Sequence, residues 1–273
     1  MARLLGIFAL AILLTASVAC SAKTEKGEQG AGESPRTKTT HREATDAPDR
    51  VTTGKGEATM SNATVAWDYV ALGDSLAAGV GARQGYVDCY AERLRADAGA
   101  RVRVTNLGVS GQTSAQLLRV LRNDASARRA IGGAEVITFN IGINDLGRAR
   151  GNYEAETCGG VRNQRCLRAA VKALEENWDT ITEEILGLRS TDEAIIRTAG
   201  LGYTPRVDGV FGHYLHETNR HIAASTAESG VPYAEVRLGV EGLSPDGLHP
   251  DGSGYEEIAA HLGQLGYEPL GPR

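Results

Sequence analysis

Trp67-Asp68-Tyr69-Val70-Ala71-Leu72-Gly73-Asp74-Ser75-Leu76 is the stretch from which the fold can be read. A mainly apolar run ends at a glycine, and a serine follows with only Ala77, Ala78 and Gly79 behind it. Such a run is a strand buried in a sheet. The small residues beyond it leave the serine hydroxyl uncrowded on a tight turn. A serine in that place is set to attack rather than to pack, and it then needs a base, an orienting carboxylate and donors for an oxyanion.

Outward from this strand (residues 65–72) the chain alternates. Further strands are expected at 102–107, 135–140, 193–198 and 231–236, each a short, mostly uninterrupted apolar run suited to burial on both faces. Helices are expected at 86–98, 113–123, 166–188, 211–228 and 253–265. In the third of these, Val171, Leu174, Trp178, Ile181, Ile185 and Leu188 recur at steps of three and four, a buried helical stripe. Five strands each followed by a helix imply an α/β fold, a parallel sheet with helices on both faces. Sites in such folds gather beyond the carboxyl ends of the strands.

Four segments sit at such ends. They are Gly73-Asp74-Ser75-Leu76, then Asn106-Leu107-Gly108-Val109-Ser110-Gly111-Gln112-Thr113, then Gly142-Ile143-Asn144-Asp145, and last Asp246-Gly247-Leu248-His249-Pro250. Any one alone is weak. All four, in this order, resemble the blocks of the SGNH (GDSL-type) hydrolase family, and the resemblance covers residues 64–273. It implies a flavodoxin-like three-layer α/β/α sandwich with a five-stranded parallel sheet, in agreement with the strand and helix count.

The roles follow position by position. Ser75 is the expected nucleophile and His249 its base. The turn from Asp246 to Pro250 lets the Asp246 carboxylate fold back onto one imidazole nitrogen, which fixes the tautomer and leaves the other nitrogen for Ser75. By resemblance, the oxyanion hole is made by the Ser75 and Gly111 backbone N–H groups and the Asn144 side-chain amide. Gly111 suits this because a missing side chain lets its backbone approach a substrate closely. Asp74 and Asp145 read more simply as caps of the helices that follow them, or as partners in loop hydrogen bonds.

Rival motifs fail on spacing. His216 and His221 are five residues apart, which places their imidazoles roughly 140° apart on a helix, so they cannot share a zinc ion. His213 and His216 are one turn apart and read as solvated helix-face histidines. Gly79-Val80-Gly81-Ala82-Arg83-Gln84-Gly85 misses the dinucleotide pattern by one position, and there is no phosphate-loop or calcium-loop spacing. No cofactor and no metal are therefore expected. The net charge of −5, with basic residues scattered, argues against a nucleic-acid partner.

Residues 1–22 read as an export signal. Arg3 precedes an apolar stretch too short to span a bilayer, and Ser17-Val18-Ala19-Cys20-Ser21 is lipobox-like, with Cys20 the residue to be lipidated. Residues 23–63 are too polar to bury a core and read as a disordered tether, able to hold residues 64–273 about 30–40 Å from an anchor. The membrane enters only through that lipid anchor. In an exported domain, a disulfide between Cys158 and Cys166 is expected to close the short polar loop between them. Pairing of Cys89 with either stays open.

The whole reads as an exported serine hydrolase of carboxylic esters, working through an acyl-enzyme on a small-molecule, lipid or glycan ester. The shortage of aromatic lids, with three Phe, leans toward short- and medium-chain acyl groups. Carbohydrate O-deacetylation or acyl transfer at the same site is the first alternative, and a non-catalytic envelope-binding lipoprotein the second.

Overall fold

The computed structural model describes residues 65–201 and 209–271. The export signal, Cys20 and the tether lie outside the described residues. Strands β1 (Ala66–Gly73), β2 (Arg101–Asn106), β3 (Val136–Asn140), β4 (Ile195–Ala199) and β5 (Tyr233–Ala234) form one parallel sheet in the order β2-β1-β3-β4-β5. The helices are α1 (Tyr86–Ala98), α2 (Ser114–Asn123), α3 (Ala125–Gly132), α4 (Ile143–Glu154), α5 (Arg165–Leu186), α6 (Gly209–Ser229) and α7 (Gly252–Gln264).

Two apolar layers fill the space on either side of the sheet. On one face Tyr86, Tyr90 and Leu94 of α1 meet Tyr255, Ile258 and Leu262 of α7 beneath Tyr69 and Ala71 of β1. On the other, α2 to α6 pack against β3 and β4 through Leu117, Leu121, Ile131, Leu174 and Ile222. This is the expected three-layer α/β/α sandwich. The stripe on α5 is its anchor: Trp178 is fully buried, with its ring 5.4 Å from that of Phe139, a pairing typically worth about 0.5–1.5 kcal/mol beyond burial. The helix ends at Leu186, so Leu188 packs from beyond its end. Among the described residues no helix is long and apolar enough to cross a membrane.

Burial on both faces holds for β3 and β4, and for most of β1. It fails for β2, an edge strand in which exposed Arg101 and Arg103 alternate with buried Val102 and half-buried Val104. That period of two is the mark of a half-solvated strand. β5 pairs with β4 over only two residues, Tyr233 and Ala234. Pro232 beside it has no N–H to add to the ladder and contributes only its carbonyl, which accepts from Thr198.

Two helices were not anticipated. α3 starts at Asp124, whose carboxylate accepts from Ser126 and Ala127 N–H, an N-cap directly after the end of α2. α4 carries Gly147 and Gly151, each unfavourable in a helix interior by about 1 kcal/mol. Its tertiary contacts, Leu146 and Ala149 on the core side, override that preference.

The chain runs outward from β1 to β2 and returns to the other side of β1 at β3. The crevice beyond the ends of β1 and β3 is thus the topological switch point, where open α/β sheets place their ligands.

Candidate active site

β1 delivers Ser75 to that crevice. Gly73 has φ +144°, and a Cβ there would lie 2.2 Å from the carbonyl oxygen of Asn140 at the end of β3, so only glycine lets the two strand ends run this close. Beyond it the chain closes on itself, with Ala78 N–H donating to Asp74 O at 3.0 Å and Val80 N–H to Ser75 O at 3.0 Å. Ser75 is 4% exposed and sits at the mouth of this turn.

The base arrives on the loop before α7. Ser244 N–H donates to His249 O at 2.8 Å, Gly247 N–H donates to Ser244 O at 2.9 Å, and Leu243 bridges Pro250. Asp246 is held across this small hairpin, with its Oδ1 accepting from Ser244 Oγ and from Leu248 and His249 N–H at 2.8–2.9 Å. Its Oδ2 lies 2.6 Å from His249 Nδ1, and His249 Nε2 lies 2.9 Å from Ser75 Oγ. The His249 ring, then the His249 and Leu248 N–H groups, hold the Asp246 carboxyl well below the usual carboxylate range. It stays ionised, accepts a proton-bearing Nδ1, and so selects the tautomer whose Nε2 can take a proton from Ser75. The structure therefore brings together Ser75, His249 and Asp246, which come from opposite ends of the domain.

The expected oxyanion donors surround the same serine turn. Among the described residues, neither Ser75 N–H nor Gly111 N–H has a protein acceptor. Gly111 adopts φ +76°, but nothing lies within 4 Å of where its Cβ would be. Glycine is thus demanded there by backbone conformation, not by close approach of protein, and the open space lies where a substrate has to enter. Asn144 is differently placed. Its Nδ2 donates to Gln112 O at 3.0 Å and to Asp74 Oδ2 at 3.3 Å, so both of its hydrogens already have acceptors.

Neither further acid caps a helix that follows it; both make hydrogen bonds in the loops around the site, the other role expected of them. Asp74 is fully buried, accepts from Leu76 N–H at 3.0 Å and takes the second hydrogen of Asn144. Burial pushes its carboxyl up to about 6, against the pull of Leu76 N–H and of His249 nearby. Asp145 lies in the first turn of α4, yet it accepts from the N–H and the Oγ of Ser114 at 2.9 and 2.7 Å, the first residue of α2. It clamps the start of α2, and with it the loop that carries Gly111, to α4 and Asn144.

Several positioning residues had no role assigned from sequence. Asn106 donates to Ala77 O at 2.7 Å and accepts from Gly108 N–H at 2.9 Å, tying the loop after β2 to the serine turn. Gly108 runs so close that a Cβ would sit 2.6 Å from Ala78 N. Gly81, set aside above as part of a failed dinucleotide pattern, would place a Cβ 2.6 Å from Pro250 O and 3.0 Å from His249 Cβ. It is the clearance that lets the histidine loop reach the serine. Tyr255 of α7 closes the contact, donating to Val80 O at 2.6 Å. For Gly81 and Gly108 the signal was a glycine in a loop that follows a strand, which sequence alone cannot connect to its partner.

Cys158 and Cys166 form the expected disulfide; Cys89 takes no part in it and is buried on α1. His213 and His216 are exposed on α6. His221 instead pairs with Asp179 at 2.9 Å. Among the described residues no group of three or more His, Cys, Asp or Glu is placed to hold a metal ion.

Comparison with known proteins bears on the family and the fold. Residues 71–257 match the model of the GDSL-like lipase/acylhydrolase family. The spore germination lipase LipC of Bacillus licheniformis is 26% identical over 213 residues, which span 74% of this chain and 97% of that one. Among solved structures, the lipase Lip_vut3 from a goat rumen metagenome superposes with a TM-score of 0.63 at 25% identity, over 75% of this chain and 99% of that one. Axe2, an acetylxylan esterase from Geobacillus stearothermophilus, does so with a TM-score of 0.57 at 18% identity, over 74% and 94%, and so shares the fold.

Proposed function

The chain belongs to the GDSL-like lipase/acylhydrolase family and is an ester hydrolase, and from that premise we propose that it is an exported serine esterase acting through an acyl-enzyme on short- to medium-chain esters. The observation that carries the mechanism is the unbroken relay from Asp246 through His249 to Ser75, with bonds of 2.6 and 2.9 Å. Ser75 Oγ attacks the ester carbonyl carbon as its proton passes to His249 Nε2. The negative charge that develops on the carbonyl oxygen is met by Ser75 and Gly111 N–H, each such donor being typically worth about 3–4 kcal/mol of barrier. Asn144 joins them by exchanging its longer bond, the one to Asp74. His249 then returns the proton to the departing alkoxide, leaving Ser75 acylated. Water enters, gives its proton to His249, and attacks the acyl carbonyl. The acid departs as Ser75 recovers its proton.

Export and anchoring belong to the same proposal. The apolar leader, Cys20 in its lipobox-like setting and the polar tether of residues 23–63 support a surface lipoprotein in a bacterial envelope. A second reading is O-deacetylation of a carbohydrate or acyl transfer at the same site, supported by the side chains of Gln116 and Arg119 beside Gly111. Family membership speaks against a binding protein without catalysis.

The test is hydrolysis of p-nitrophenyl esters from acetate to palmitate by the full-length chain beside Ser75→Ala. Turnover absent from the variant, with an optimum at short or medium acyl length, is the expected result. Full activity in Ser75→Ala overturns the nucleophile, and an optimum at palmitate overturns the chain-length preference.

A further inference from the structure

The Ser75 and Gly111 N–H groups are backbone donors, and the chain fixes their direction. Asn144 offers a side-chain amide, whose two ends are alike in shape and opposite in hydrogen bonding. Turned by half a revolution about its last bond, it would present an acceptor where the reaction needs a donor. Its orientation is therefore part of the chemistry. The NH₂ end donates to Gln112 O at 3.0 Å and to Asp74 Oδ2 at 3.3 Å. A carbonyl and an ionised carboxylate only accept, so both call for that end. Among the described residues nothing donates to Asn144 Oδ1. The Gln112 half of this arrangement is permanent, whereas the Asp74 half depends on a proton. Asp74 is fully buried, and Leu76 N–H holds its Oδ1 at 3.0 Å, which leaves Oδ2, the oxygen that faces Asn144, as the place for a proton. A carboxyl protonated there donates to an amide oxygen as readily as its carboxylate form accepts from an amide nitrogen.

We propose that Asp74 is a positioning residue of the oxyanion hole: its ionised carboxylate keeps the donor end of Asn144 between the serine turn and the Gly111 loop, and protonation of Asp74 releases that hold. This rests on the esterase mechanism proposed above and adds a residue that acts through Asn144, as Asp246 acts through His249. In the resting site Asp74 Oδ2 is the negative acceptor whose place the substrate oxygen takes on attack. His249 gains positive charge in the same step, close enough to Asp74 to offset the charge left on it. The groups that face Asp74 decide when it takes up a proton. Burial raises its carboxyl to about 6 against the pull of Leu76 N–H, while His249 of the loop before α7 pulls it lower and Asp145 of α4 pushes it higher. Tyr86 of α1 and Tyr255 of α7 face it as hydroxyls that burial keeps neutral. The hold on Asn144 is thus complete well above pH 6 and is lost as the pH falls through that value.

The experiment compares the full-length chain with its Asn144→Ala variant, measuring kcat on p-nitrophenyl acetate from pH 5 to 8. Both proteins carry His249, so its own titration divides out of the ratio of the two rates. That ratio is expected to be on the order of 10² at pH 8 and to fall roughly five- to tenfold by pH 5. A ratio constant across the range overturns the proposal, because Asn144 would then donate equally well beside either form of Asp74. Asp74→Asn gives a second reading at pH 8. Its kcat is expected to fall by a factor on the order of 10–10² with KM little changed, and the double variant with Asn144→Ala to be no slower than Asn144→Ala alone. Losses that multiply in the double variant place the action of Asp74 elsewhere and overturn the proposal. Ser75-dependent turnover by the unaltered chain reports on the esterase mechanism separately. If no ester is turned over, the rate at which a fluorophosphonate labels Ser75 in the unaltered chain and in Asn144→Ala gives the same ratio. No labelling of Ser75 at any pH removes the nucleophile and the proposal together.

Discussion

Asn144 donates through Nδ2 to Asp74 Oδ2, 3.3 Å away, and this carboxylate has no solvent exposure. The amide expected to bind an oxyanion is thus parked on a buried acid.

Burial places the Asp74 carboxyl at about 6, compared with 3.8 for an unperturbed group. The native state therefore holds this proton more tightly than the unfolded chain does. The contribution of Asp74 to stability is full below about pH 4 and declines as the pH rises toward about 6, by roughly 3 kcal/mol in all. Asp74→Asn carries no charge and escapes the decline. Its unfolding free energy, relative to that of the unaltered chain, is expected to grow by about 2–3 kcal/mol between pH 4 and 7 and then level off. Urea titrations across that range check this; a constant difference contradicts it.

Asp246 is held ionised by the His249 ring and two N–H groups. Asp246→Asn keeps the side chain's shape but presents an amide that can stabilise the wrong imidazole tautomer. kcat is expected to fall by a factor on the order of 10²–10⁴ with KM little changed. Steady-state kinetics on one p-nitrophenyl ester decide it, and more than a tenth of the original kcat would show that Ser75 and His249 work as a pair without Asp246.

Gly108→Ala and Gly111→Ala separate crowding from backbone strain. At Gly108 the new Cβ meets Ala78 N at 2.6 Å and Ala77 Cβ at 2.7 Å, so the loop must move off the serine turn. A cost of about 1–3 kcal/mol is expected, with a loss of kcat. At Gly111 the Cβ meets nothing, and only φ +76° opposes it, at about 1–2 kcal/mol. The unfolding free energy should fall more in Gly108→Ala, while in Gly111→Ala the methyl enters the space the substrate needs and the loss should fall on activity; a larger stability loss in Gly111→Ala would show that the serine turn yields readily.

The disulfide joins residues eight apart, and closing so short a loop is worth about 2–3 kcal/mol through the unfolded chain. Replacing both Cys158 and Cys166 by Ser should lower the unfolding free energy by that amount. A reductant should do the same to the unaltered chain and nothing to the double variant. Equal stability of the two proteins without reductant is the outcome that excludes the disulfide's contribution.

Much of the architecture is legible along the chain because periodicity and punctuation are local. The apolar run ending at Gly73, the stripe from Val171 to Ile185 and the loop ahead of α7 each declare themselves within a few residues. α4 hides because Gly147 and Gly151 make it a poor helix on its own, and its core contacts through Leu146 and Ala149 are invisible until the sheet is assembled. β2 carries its half-solvated character in its own alternation of Arg101, Val102, Arg103 and Val104, which a search for short apolar runs passes over, whereas the sheet order that puts it at the edge emerges only in the assembled fold.

The sequence by itself determined the α/β class and the resemblance to a hydrolase family, and it singled out Ser75, Asp246 and His249 as a candidate set, because these readings depend on residue type and order. Only the tertiary structure decided which hydrogen bonds that set makes and which donors stand ready. It showed Asn144 engaged by Gln112 and Asp74, Asp145 clamping α2 instead of its own helix, and Gly81 and Gly108 as the clearances that let three loops meet. The physical reason is that a hydrogen bond or a steric contact depends on distances of a few tenths of an ångström between groups up to 180 residues apart. Those distances exist only once both apolar layers have closed on the sheet.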